Sequence, residues 1–302
     1  MKKYLKVSDE IGQALFDKKP IVALESTIIS HGMPFPENIE TAQELEQIVR
    51  DRGVIPATIA ILNGEIVVGL NAEQMHYLAK NEVKKASRMD LPYIISKDQN
   101  ASTTVAATMI CAQMAGIEVF VTGGIGGVHR GAEYSFDISA DLQELAKTDM
   151  TVICAGAKAI LDLEKTMEYL ETNGVLTLGY QTDYLPAFYS RESPIELAYR
   201  VDSAEEIANI IRAKKALTLS GSILVANPIP AEFSLSYNEM NTLINLAIEK
   251  AKELGIRGKE LTPYLLDSIQ KMTNKTSLYA NIELIKNNAK LGGDIARILS
   301  NI

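Results

Sequence analysis

Cysteine is scarce in this chain: Cys111 and Cys154 are the only two in 302 residues. Both sit inside apolar segments, so they read as small buried hydrophobes in a reduced protein rather than as a disulfide framework. No Cys/His spacing suits zinc. No apolar stretch approaches the roughly 20 residues that span a bilayer. The start, Met1-Lys2-Lys3-Tyr4-Leu5-Lys6, lacks the apolar core of a secretory leader. These absences lead us to expect a cytoplasmic protein with no membrane partner. Positive charge is also short: 30 Lys and Arg against 38 Asp and Glu leave a net charge of −8. That balance argues against a nucleic-acid partner, and an anionic substrate would need a local basic pocket. No Ser/Gly/Pro-rich linker, low-complexity tract or internal repeat divides the chain, so one domain over residues 1–302 is expected.

What is present is an alternation of helical and strand-like patterns. Helices are expected at 10–18, 38–52, 102–115, 140–146 and 161–172. Strands are expected at 20–24, 92–96, 117–121, 151–155, 175–179 and 223–226. Residues 58–62 and 65–70 flank Asn63-Gly64, a hairpin signal because both residues tolerate positive φ. From Tyr237 onward the pattern is helical throughout. The order predicts an α/β fold with three α/β/α layers: a mainly parallel sheet covered on both faces, a β-hairpin and a helical C-terminal cap.

The run Thr122-Gly123-Gly124-Ile125-Gly126-Gly127-Val128-His129-Arg130-Gly131 follows an apolar strand. Glycines bury no side chain and cost backbone entropy, so such density marks a sharp bend or a close approach to a ligand. It fits neither the dinucleotide template, because the last glycine position is His129, nor the phosphate-loop template, because no lysine follows. Its alternative is a tight turn with no ligand. Lys158, in Cys154-Ala155-Gly156-Ala157-Lys158, sits among small and apolar neighbours at a strand end. Lost hydration there favours a neutral, nucleophilic amine; otherwise it is a solvated lysine opening the next helix. Glu25 ends a buried strand, where a carboxylate is costly unless it is paired or functional. General-acid work and a cap or loop hydrogen bond are its two readings. Asp137 and Asp141 are either helix-start charges or one-carboxylate ligands of Mg²⁺ or Mn²⁺. Lys85-Ala86-Ser87-Arg88 is a phosphate site or a solvated turn, and the helix start near Ser102-Thr103-Thr104-Val105 could serve the same anion. His76 lies in a polar helix and is expected at the surface.

Taken together, these segments resemble the pseudouridine-5′-phosphate glycosidase family, which includes the indigoidine synthase A-like proteins. The matching stretches run from Ala23 to Pro34, Pro56 to Ala60, Thr122 to Leu142, Cys154 to Lys158, Gly179 to Thr182, Ala226 to Pro230 and Asn281 to Ala289. The resemblance implies reversible conversion of pseudouridine 5′-phosphate and water to uracil and ribose 5-phosphate, in a single-domain homotrimer with Mn²⁺, or Mg²⁺, in the site. It implies Lys158 as Schiff-base nucleophile, Glu25 as proton donor and Asp137 as metal ligand. Lys85, Thr104, Val105, Ser139, Ala140, Asp141 and Asn281 match substrate-contact positions, and Asp141 could assist ring opening through water. Met89 stands where the family pattern has a second arginine after Arg88. The rival readings are a Schiff-base sugar-phosphate lyase or aldolase, a kinase built on Gly292-Gly293-Asp294 and the glycine run, and a non-enzymatic sugar-phosphate sensor.

Overall fold

The computed structural model describes residues 3–256 and 258–300; the Met1-Lys2 start and the ends of the 1–302 span lie outside them. The central strands read Ile-Val-Ala-Leu at Ile21–Leu24, Val-Phe-Val at Val119–Val121, Thr-Val-Ile-Cys at Thr151–Cys154 and Ile-Leu-Val-Ala at Ile223–Ala226, every residue buried. Unbroken apolar runs of this kind belong to parallel strands covered on both faces. The sheet has eleven strands. From Ile55–Leu62 the order runs through Ile21–Leu24, Val119–Val121, Thr151–Cys154, Ile223–Ala226 and Leu176–Tyr180 to Arg200–Val201, and every neighbouring pair is parallel. The expected hairpin is present: Ile55–Leu62 and Glu65–Val68 pair antiparallel across Asn63 and Gly64, both at positive φ.

Helices cover both faces. The final helix, Thr276–Ser300, crosses Ile21–Leu24, Val119–Val121 and Thr151–Cys154, flanked by helices Glu37–Asp51 and Ala204–Ala216. On the other face helix Val105–Ala115 packs on the sheet and on Ala140–Lys147, which in turn meets Leu163–Thr172. The end of the chain is thus a layer more than a cap. Gly292 and Gly293 fall in the middle of that last helix, where a Cβ on Gly292 would stand 2.2 Å from Val121 Cγ2. Asp294 is paired to Arg52 at 2.8 Å. Gly292 serves close helix–sheet packing and Gly293 close packing on Arg52, so Gly292-Gly293-Asp294 gives the kinase reading no loop.

Two local expectations change and one short strand is added. Residues 92–96 form helix Leu91–Ser96, not a strand. Pro92 occupies its first turn, where a missing N–H breaks no hydrogen bond, and Ser87 and Asp90 cap the approach reciprocally. The helix expected from Ser102 starts at Val105 and is capped by Thr104, because Ala101–Thr103 is a short strand paired with Ile55–Leu62. Lys84–Ala86, unassigned from the pattern, is a strand beside it. Both are too short for periodicity to reveal.

Both cysteines are free and buried, and burial pushes each thiol up to about 12. His76 is exposed, as expected.

Candidate active site

The strand order reverses at Ile21–Leu24. The chain moves from it to Ile55–Leu62 on one side, and its next parallel neighbour, Val119–Val121, lies on the other. Open α/β sheets bind ligands at such a switch point, outside the carboxyl ends of the strands. Leu24, Val121 and Ile153 stand in register there. The residues that follow them, Glu25, Thr122 and the segment leading to Lys158, form one end of the sheet.

Glu25 is buried, with both carboxylate oxygens held by hydroxyls: Thr122 donates to Oε1 and Thr27 to Oε2. Ser26 turns away and donates to Ile59 O at 2.6 Å, while Thr103 N–H donates to Ser26 Oγ at 2.9 Å. That buried network fixes the turn that aims Glu25.

The glycine run continues the line of its strand. Ala155 N–H donates to Gly123 O, Ile125 N–H to Gly156 O, and Lys158 N–H to Ile125 O at 3.0 Å. Gly156 sits at φ +82°, and a Cβ there would lie 2.2 Å from Pro186 O, so only glycine lets the chain turn before Lys158. Asn288, from the last helix, donates to Thr122 O at 2.9 Å and accepts from Asn227, pinning the start of the run.

Glu25, Lys85, Lys158, Phe188 and Asn281 line one cleft. Residues as far apart as 25 and 281 thus meet there. Around Lys158, charge is concentrated. Burial pushes the His129 pKa below its usual value, Asp137 opposes this, and Lys158 and Lys85 reinforce it. His129 and Asp137 are held together by a 3.0 Å backbone bond from His129 N–H to Asp137 O.

The other site candidates divide. Lys84–Ala86 pairs with Ala101–Thr103, and Thr104 N–H donates to Ala86 O, so Lys85 and the helix start at Thr104 and Val105 are neighbours. Ser139 caps helix Ala140–Lys147. Asp141 is buried and spans two elements: Oδ1 accepts from Ala106 N–H at 2.9 Å and Oδ2 from Gly126 N–H at 2.8 Å. Its carboxylate therefore supplies the negative charge at the start of helix Val105–Ala115. A Cβ on Gly126 would meet Ser139 Oγ at 2.2 Å and Asp141 Oδ2 at 2.7 Å. Ser139, Ala140 and Asp141 brace the glycine run, and neither they nor Thr104, Val105 and Asp137 line the cleft of Lys158.

Two basic residues that the sequence offered for ligand contact are occupied. Arg88 pairs with Glu144, whose side chain is almost fully buried. Arg130 donates to the Asn241 and Asn245 side chains at 2.6 Å each and to the carbonyls of Ala159 and Leu161. It clamps the loop after Lys158 to helix Tyr237–Glu253. Met89 is exposed to solvent. Sequence reasoning gave no role to His31, which lines the cleft, or to Phe188, which forms its wall at φ 61° against Gly124. His31 lay within a matching stretch, whereas Phe188 carried no signal beyond an apolar neighbourhood.

Fold and cleft together define a parallel α/β protein that presents an amine and a carboxyl group to one substrate space. The family model described as "Indigoidine synthase A like protein" matches residues 10–298. The chain belongs to that family. It is 59% identical over 295 residues to the pseudouridine-5′-phosphate glycosidase of Petrotoga mobilis (strain DSM 10674 / SJ95), covering 97% of this chain and 96% of the relative. The corresponding figures for the protein of that name from Escherichia coli (strain K12) are 54%, 97% and 95%. Among solved structures, the prealnumycin C-glycosynthase AlnA in complex with ribulose 5-phosphate superposes with a TM-score of 0.92 at 37% identity, covering 99% of this chain and 98% of that one. An indigoidine synthase A-like protein from Thermotoga maritima gives 0.91 at 35%, covering 98% and 97%.

Proposed function

We propose that this chain cleaves the carbon–carbon glycosidic bond of pseudouridine 5′-phosphate to give uracil and ribose 5-phosphate, reversibly, through an imine on Lys158. The observation that carries the reading is the convergence of Lys158 and the doubly held Glu25 on one cleft at the switch point. Relatives named for this activity, matched over almost their whole length, and a neighbour holding a pentulose phosphate support the substrate class.

Ordinary glycosidases protonate a leaving oxygen or nitrogen. Here the leaving atom is carbon, so C5 of uracil must take the proton while C1′ is supplied with electrons. Unprotonated Lys158 Nζ bonds to C1′ as the C1′–O4′ bond breaks, and the new ammonium passes a proton to O4′, which leaves a neutral amine on C1′. Glu25 then protonates C5. The nitrogen lone pair forms the C1′=N bond, and the electron pair of the broken C1′–C5 bond restores the uracil double bond. Water adds to the protonated imine, releasing the sugar aldehyde and the neutral lysine, and the proton set free returns to Glu25. Lys85, which lines the cleft beside the helix start at Thr104 and Val105, holds the 5′-phosphate, and binding energy from that remote group orients C1′.

Mn²⁺, with Mg²⁺ as the alternative, and a homotrimeric assembly belong to the same reading. Among the described residues no group of three or more His, Cys, Asp and Glu is placed to hold a metal. A half-buried Asp137, bonded through its backbone to His129, fits an ion that keeps mostly water in its shell, the habit of Mg²⁺-like cations. Such an ion would supply positive charge near the sugar oxygens. Asp137→Asn is expected to weaken Mn²⁺ binding in calorimetric titration.

The decisive experiment mixes purified protein with pseudouridine 5′-phosphate, follows free uracil, and reduces the mixture with borohydride. Peptide mapping should place a ribose phosphate adduct on Lys158. Release of no uracil, or an adduct on Lys165, would reject the reading. An aldolase would trap the same lysine without releasing a base.

A further inference from the structure

One stripe of the last helix follows the end of strand Val119–Val121 outward. Asn281, Leu284, Asn288 and Gly292 recur at helical spacing and share a face. Gly292 lies against Val121, and a Cβ on Gly123 would meet Asn281 Oδ1 and Leu284 Cδ1 at 3.5 Å each. Asn288 is the polar residue set between Leu284 and Gly292, and it is fully buried. A primary amide in an apolar layer is costly unless its groups are bonded. Those of Asn288 are bonded: Nδ2 donates to Thr122 O at 2.9 Å and to Gly123 O at 3.4 Å, and Oδ1 accepts from Asn227 Nδ2 at 3.0 Å. Main-chain carbonyls only accept, so this orientation of the amide is the one its partners allow.

The contact makes good a slip in the sheet. Thr122 N–H donates to Ile153 O at 3.0 Å. A regular parallel ladder would continue from Ala155 N–H to Thr122 O. Ala155 N–H instead reaches Gly123 O at 2.9 Å, which leaves Thr122 O to Asn288. Thr122 is also the residue whose hydroxyl donates to Glu25 Oε1. Asn227 and Asn288 fall in two of the stretches that carry the family resemblance, and the reaction proposed above uses neither. We propose that Asn288 is a positioning residue for the proton donor: it holds the peptide of Thr122 so that the Thr122 hydroxyl keeps Glu25 aimed into the cleft. The inference rests on that reaction. Being fully buried, Asn288 acts through Thr122 and not on the substrate. Its loss should therefore be felt in kcat and not in KM.

The test compares wild type, Asn288→Leu and Asn227→Ala, each also combined with Glu25→Gln, following uracil release from pseudouridine 5′-phosphate. Leucine has much of the amide's shape and no donor. In Asn288→Leu, kcat should fall by about 10–100-fold with KM unchanged, since a misplacement of about 1 Å can cost that much. Asn227→Ala unties the amide and should cost less in the same sense. In the Glu25→Gln background there is no proton to aim, so either change should leave the residual rate unaltered. A merely structural role would lower the rate equally in both backgrounds. Matching thermal midpoints establish that the variants fold, and Asn227→Ala carries the comparison if Asn288→Leu does not. A wild-type kcat in folded Asn288→Leu, or in Asn227→Ala where that variant stands alone, overturns the proposal. So does a fall of equal size with and without Glu25→Gln. If the wild type releases no uracil, the reaction reading fails instead, and crystal structures of wild type and variant decide the contact. A Glu25 carboxyl displaced together with Thr122 supports it, and superimposable carboxyls overturn it.

Discussion

Glu25 and Asp141 are both carboxylates buried at the ends of secondary structure, and they have opposite employments. Glu25 is held by two side-chain hydroxyls and faces the cleft with Lys158. Asp141 is held by two backbone amides, at the joint of helix Val105–Ala115 and the glycine run. Hydroxyls can rotate and exchange the roles of donor and acceptor, so Glu25 can change protonation state and keep its partners. Amides only donate, and an acid proton on Asp141 would break the joint between helix Val105–Ala115 and the glycine run. Buried charge is thus no guide to chemistry until the kind of partner is known.

Substitutions can break that contrast. Lys158→Arg removes the amine that works with Glu25, and turnover should vanish almost completely, because an always-charged guanidinium cannot add to carbon. Its thermal midpoint should stay near that of the wild type; a variant with substantial activity would mean that Lys158 is only a wall of the cleft. Glu25→Gln keeps shape and both hydroxyl contacts and loses the transferable proton, so kcat should fall by about 10²–10⁴-fold with little change in KM. Near-normal rates would return Glu25 to a loop hydrogen-bonding role and erase the difference from Asp141.

Asp141→Asn should behave in the opposite way. An amide offers one acceptor where two N–H groups now bond, so stability should drop by about 1–3 kcal/mol, read from urea denaturation midpoints. Lost activity should recover where the variant is fully folded. A folded Asp141→Asn protein with no turnover would make this carboxylate part of the chemistry after all.

The smallest effect concerns pH. Burial leads the causes that push His31 and His129 below the usual 6.5. Above that value both folded and unfolded states carry neutral rings, and the full stability is present. As pH falls below it, the unfolded state takes up protons first, and stability declines until the folded rings also titrate. Denaturation midpoints at about pH 7.5 and about pH 5.5 should therefore differ, with the protein weaker in acid, and His31→Gln should narrow the gap. Equal narrowing by His76→Gln would argue against burial as the cause, since His76 is exposed.

Much of this was legible in the residue order. Unbroken apolar strands separated by amphipathic helices announce a covered parallel sheet, and Asn63-Gly64 announces its hairpin, because backbone sterics and burial act locally. Lys158 and Glu25 stood out because a charged residue ending an apolar strand is costly. Other features needed the folded chain. Arg88 and Arg130 looked like ligand contacts and are committed to Glu144 and to helix Tyr237–Glu253, partners 56 and more than 100 residues away. The strands Lys84–Ala86 and Ala101–Thr103 exist because an existing sheet edge pairs them. Residue order fixed where strands end and which side chains sit there. Which of those ends meet was decided by the reversal of strand order at Ile21–Leu24 and by the last helix reaching back to Thr122, since contacts across such separations are set by packing and not by local pattern.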